Sequence, residues 1–170
     1  MNADQKKVAV GALSGALSMA LLVWFFFSIL PSPALKDDVL SRIIFTLQMN
    51  VIGALPLFVG IAIVGNGRFL SNAIDPLRHA ENKKLEINGR FVDNTLQQNF
   101  IFLVGTLALS TFLMGETIKL ISALTIVYVI ARIVFWIGYR IDPLYRAPGM
   151  AATSYMNLGI LLYTLHFLFF

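Results

Sequence analysis

Five stretches of about twenty residues, dominated by Leu, Ile, Val, Phe and Ala, divide this chain and limit what it can become. They run over 8–30, 43–64, 94–113, 120–139 and 151–170. Each can cross the roughly 30 Å of a bilayer core as a helix, one of them only when its polar opening is included. None alternates polar and apolar residues with period two, which argues against a β-barrel. Hydrophobic residues make up 58% of the chain and charged ones 13%, more apolar surface than a soluble domain of this length needs. The expected fold is all-α: a multi-pass integral membrane helical bundle.

The chain has no cysteine, so disulfides and thiolate nucleophiles are excluded. Its two histidines, His79 and His166, are far apart and lack carboxylates at metal-ligand spacing, so no metal centre is expected. The first apolar stretch follows Lys6 and Lys7 and is longer than the core of a cleaved secretory signal. It reads as a retained signal anchor.

In a five-span topology nine cationic residues fall on one side: Lys6, Lys7, Arg68, Arg78, Lys83, Lys84, Arg90, Arg140 and Arg146. Lys36, Arg42 and Lys119 fall on the other, and Arg132 stays within the membrane. The positive-inside rule puts the N-terminus in the cytoplasm and the C-terminus on the opposite side. The net charge of +4 then reflects topology and contact with anionic membrane lipid; no nucleic-acid motif is present.

Gly11-Ala-Leu-Ser-Gly15 in the first stretch has the small-xxx-small spacing that lets helices approach closely. Pro56 predicts a kink in the second, where Gln48 and Asn50 are placed to hydrogen-bond neighbouring helices. The segment 65–89 is the one substantial soluble connection. Met114-Gly115-Glu116 leaves room only for a tight turn, making the third and fourth helices an antiparallel hairpin.

Two polar faces stand out. Arg90, Asn94 and Gln97 recur at i, i+4 and i+7; Arg132, Phe135 and Tyr139 recur at i, i+3 and i+7. Each set shares one helical face. In an antiparallel hairpin Gln97 and Arg132 come to similar depth, and Arg146 follows on the same side of the membrane. An intramembrane arginine faces a bundle interior or a wet cavity and has a partner. A bridge to Asp93 or Gln97, snorkelling to headgroups, and a site where Arg90, Arg132 and Arg146 converge on an anion all satisfy that requirement. Tyr139 with Trp136 also suits an interfacial aromatic belt.

The segments LEINGRFVDNTLQQ and ARIVFWIGYRIDPLYRAPG resemble the MAPEG family, the membrane-associated proteins of eicosanoid and glutathione metabolism. The resemblance rests on Arg90-x-x-x-Asn94-Thr95, Ala131-Arg132, Gly138-Tyr139 and Arg146-Ala-Pro-Gly149. It implies a MAPEG-like four-helix membrane domain over 43–170, preceded by the extra signal-anchor helix and loop of 1–42. It also implies a homotrimer with glutathione as cosubstrate, bound between subunits near the cytoplasmic face. Arg90, Asn94, Gln97, Arg132 and Tyr139 would contact glutathione, and Arg146 would stabilise its thiolate. Gln97 stands where the family commonly has a glutamate, and Phe135 where a tyrosine is frequent.

The function expected from the resemblance is a glutathione-dependent transferase or peroxidase acting on lipophilic electrophiles, in a bacterial-type inner membrane. A non-enzymatic membrane protein binding a lipid or anionic metabolite through the same arginines is the alternative. A bundle whose polar residues serve only assembly is a third reading. Paired inverted halves, which would suggest a transporter, are missing from the sequence.

Overall fold

The computed structural model describes every residue except Asp37, Pro76, Arg78 and His79; the readings above that involve Arg78 and His79 therefore lie outside the described residues. Five α-helices follow one another: α1 (Ala3–Ile29), α2 (Val39–Phe69), α3 (Lys83–Ser110), α4 (Lys119–Ile141) and α5 (Ala147–Phe169). Short 3-10 turns at Asn72–Ile74, Gly115–Ile118 and Pro143–Arg146 lie between them. All five expected spans fall inside or almost wholly inside helices, and no strand occurs among the described residues.

Polar residues fix where the helices begin. The Gln5 amide donates to Asn2 Oδ1 at 2.8 Å and the Asn2 amide donates to Gln5 Oε1 at 2.9 Å, a reciprocal capping box. Asn82 Oδ1 accepts from the Leu85 amide at 2.9 Å to start α3. Asp38 accepts from the Ser41 amide and hydroxyl, each at 2.8 Å, to start α2. Those bonds, the backbone one first, hold the Asp38 carboxyl below its usual range. The cap is therefore intact above the ordinary carboxylate range and weakens as pH falls through it.

Among the described residues three helical segments are long and apolar enough to cross a membrane: α1, α2, and Gly115–Ile141 containing α4. The chain is an integral membrane protein. Helices α3 and α5 are also long enough, α3 being the more polar of the two, and polar side chains join them. Asn157 Nδ2 donates to the Gln98 carbonyl at 3.0 Å and to Gln98 Oε1 at 2.9 Å. Gln98 Nε2 in turn donates to Ser154 Oγ at 3.3 Å. The donor groups of both amides are thus placed across the helix pair, as hydrocarbon favours, while Asn157 Oδ1 is left without a partner.

Helix α2 joins α3 by the same device, with Asn50 Nδ2 donating to Thr106 Oγ1 at 3.0 Å; Gln48 instead is exposed. Helix α2 continues through the buried Pro56. The main core gathers Phe102, Leu109, Ile121, Leu124, Tyr128, Met156 and Ile160 from α3, α4 and α5, with Phe102 stacked on Tyr128 at 4.4 Å.

Helix α1 docks through the small residues noted in the sequence. Gly15 is buried, and a Cβ there would come within 2.8 Å of the Pro148 backbone. Replacing Gly15 by valine is expected to push α1 off α5 and cost about 1–3 kcal/mol, seen as a lower unfolding midpoint in detergent. An unchanged midpoint would show that this contact does not hold α1 in place.

Candidate functional site

The residues singled out in the sequence collect at the end of the bundle where α3 begins and α4 ends, but they do not all face one another. Helix α4 buries Tyr128, Arg132, Phe135 and Tyr139 on a single face. Arg132, which shares its stripe, is therefore carried into the interior. Its relative exposure is 0%. Arg132 Nη2 donates to Asn94 Oδ1 at 3.0 Å, and Nη1 donates to Thr153 Oγ1 at 3.2 Å. One guanidinium thus ties α4 to both α3 and α5.

Aromatic rings complete its enclosure. The guanidinium carbon lies 4.2 Å from the Phe135 ring centroid and 5.9 Å from that of Phe91. Such stacking suits a planar, weakly hydrated cation. No carboxylate pairs with Arg132 among the described residues; neutral acceptors and π faces hold the charge. Of the partners considered from sequence, neither Asp93 nor Gln97 supplies the bond. Asn94 does, with Thr153, which the sequence reading had not singled out.

Tyr139 is also buried, packed with Phe91 and Phe135. Arg146 covers it from outside, its guanidinium carbon 4.9 Å from the Tyr139 ring centroid. The Arg146 side chain itself is exposed, and among the described residues no carboxylate neutralises it. Trp136, by contrast, is half-buried, donating from Nε1 to Asn88 Oδ1 at 3.0 Å and stacking on Phe91 at 5.1 Å.

Helix α3 divides the expected polar face. Its inward stripe is Phe91, Thr95, Phe102, Thr106 and Leu109, one step round from Arg90, Asn94 and Gln97. Asn94 sits at the edge and reaches Arg132; Arg90 and Gln97 are exposed. Arg90 binds Glu86 one turn earlier, with Nε at 3.0 Å and Nη2 at 2.8 Å from Oε1. The site in this single chain therefore has an inner part, Arg132 with Asn94 and Thr153, and an outer part, Arg146 over Tyr139, with Arg90 and Gln97 exposed on α3.

The end of α5 is held against α4 by a close approach. A Cβ on Gly149 would lie 2.5 Å from the Ala131 carbonyl oxygen and 2.6 Å from Phe135 Cα. Only a residue without a side chain lets the two backbones meet here, and that contact brings Thr153, one helical turn on, to Arg132. The Ala131-Arg132 and Arg146-Ala-Pro-Gly149 blocks noted in the sequence are thus two halves of one packed junction.

Comparison with known proteins places this junction in context. Transmembrane protein 79 of mouse is 23% identical over 164 residues, covering 96% of this chain and 42% of the relative. Transmembrane protein 79 of cattle is 26% identical over 163 residues, covering 95% and 41%. The chain therefore spans about two fifths of the length of these curated relatives. No solved structure matches. The model of the MAPEG family matches residues 42–166, which include α3, α4 and nearly all of α5 with every residue of the candidate site. The chain belongs to the MAPEG family.

Proposed function

We propose that the chain is a glutathione-dependent transferase or peroxidase acting on lipophilic electrophiles dissolved in the bilayer. The observation that carries this reading is the uncompensated Arg146 guanidinium lying over Tyr139, within a family match that includes both. The outer residues suit a peptide bearing two carboxylates and an amine. Arg146 and Arg90 offer forked donors to carboxylates, Tyr139 a phenol, and Gln97 an amide for an ammonium group. The Arg90–Glu86 pair is exposed on both sides, with side-chain exposures of 63% and 55%, so little is lost when a ligand carboxylate replaces Glu86.

When bound, glutathione supplies the thiol nucleophile. The protein's part is electrostatic and steric. Arg146 places positive charge beside a developing anion and lowers the cost of losing a proton there. Tyr139, fixed between Phe91 and Phe135, holds the guanidinium in place. Arg132 with Asn94 and Thr153 acts from behind as a positioning group. Because Arg90, Gln97 and Arg146 face outward from the single chain, a neighbouring subunit in a homotrimer would close the site over them.

The charge count supports an orientation with the N-terminus and this site on the cytoplasmic side and the C-terminus opposite. The matched relatives are from mouse and cattle, which gives no support to a bacterial-type inner membrane.

A second reading, a non-enzymatic binder of a lipid or anionic metabolite, is favoured by one observation. Arg132 is buried, and both of its terminal nitrogens already donate to protein partners, with Nε alone unpartnered, leaving fewer cations for glutathione than the sequence suggests. Calorimetric titration with glutathione in detergent separates the two, followed by a conjugation assay with an aromatic halide. Saturable binding in the millimolar range or below with thiol consumption is the expected result. Stabilisation by an anionic ligand with no thiol turnover would establish the second reading, and no glutathione binding at all would end the first.

A further inference from the structure

Helix α1 lies outside the family match at 42–166, yet the relatives align over 95–96% of the chain and so extend across it. Its basic end builds a feature that the proposed chemistry does not use. A groove of about 490 Å³ runs between the first turns of α1 and the Pro143–Arg146 turn, lined by Lys6, Lys7, Val10, Leu144, Tyr145 and Pro148. Apart from the lysines its lining is mostly apolar, and no carboxylate contributes to it. Neither lysine is ion-paired among the described residues.

The order of these residues along α1 is informative. Lys6 and Lys7 precede the apolar run, at headgroup depth. Val10 lies about 4.5 Å further along the axis, where hydrocarbon begins. Tyr145, more than half exposed, has the ring and hydroxyl that suit the interface between the two. The groove is thus cationic and polar at its mouth and apolar below, the same gradient as a phospholipid entering a leaflet headgroup first. A zwitterionic headgroup gains little from two ammonium groups, whereas a net anionic one gains about a kilocalorie per mole from each lysine near the surface.

We infer that this groove is a binding site for one anionic phospholipid of the surrounding leaflet, its phosphate between Lys6 and Lys7 and an acyl chain along Val10, Leu144 and Pro148. The site is independent of the glutathione reading, since it shares none of the residues assigned there.

The test uses the full chain in neutral detergent and follows lipid binding by native mass spectrometry. Dioleoylphosphatidylglycerol is compared with dioleoylphosphatidylcholine, and glycerol 1-phosphate serves as a soluble source of the same phosphate. Retention of phosphatidylglycerol over phosphatidylcholine is expected. The double variant Lys6→Gln/Lys7→Gln should lose about thirtyfold in phosphatidylglycerol affinity. Lys83→Gln/Lys84→Gln, which removes the same charge from an exposed site on α3, should stay within about twofold of the parent. Val10→Trp, which fills the groove and keeps both lysines, should weaken binding as well. Equal affinity for the two lipids, equal losses in the two lysine pairs, unimpaired binding by Val10→Trp, or displacement by glycerol 1-phosphate at lipid-like concentrations would each overturn the assignment.

Discussion

Arg132→Ala is expected to destabilise the bundle by about 3 kcal/mol or more and to broaden or abolish its unfolding transition in detergent. The side chain is the largest among those fully buried, so truncation leaves a cavity. It also leaves Asn94 Oδ1 and Thr153 Oγ1 without the donor they now share, adding a further desolvation cost. Arg132→Met should recover part of the packing but not the hydrogen bonds, and its midpoint should fall between the two. Arg132→Lys keeps a donor and a charge but gives up the planar stack on Phe135. If Arg132→Ala instead unfolds at the parental midpoint while losing glutathione affinity, this arginine is a ligand contact and not a strut.

Arg146→Ala separates chemistry from folding in the opposite way. The side chain is exposed and makes no hydrogen bond or ion pair within the described residues beyond its stack on Tyr139, so the midpoint should move by less than about 0.5 kcal/mol. Thiol turnover should fall by about a hundredfold or more, the scale seen when one preorganised group facing a developing anion is removed. The loss should appear chiefly in kcat, because the charge is needed most when the proton has left. Arg146→Lys should restore part of the rate by returning the charge without the fork. Turnover that survives Arg146→Ala would remove this residue from the reaction.

The two substitutions also show how far the sequence could be read. The helical class, the hairpin of α3 and α4, and the grouping of Arg132, Phe135 and Tyr139 were legible, because apolar runs and a 3.6-residue period report burial directly. The same period applied to Arg90, Asn94 and Gln97 finds their common face but not its direction. Polar residues at helical spacing look alike whether they point into a bundle or out to a neighbour, and here Phe91 and Thr95 face inward. Thr153 carried no signal of its own; its role depends on Gly149 letting α5 approach the α4 backbone. The three arginines do not converge within the single chain, because Glu86 holds Arg90 and Arg132 is buried, and nothing in their spacing shows either.

The amide seam between α3 and α5 bears on how the protein enters a bilayer. A lone α3 would carry Gln98 into hydrocarbon without Asn157 and Ser154, its partners on the last helix. The two helices are therefore interdependent: a substitution at Asn157 or Ser154 of α5 would leave Gln98 of the much earlier α3 without its partners in hydrocarbon.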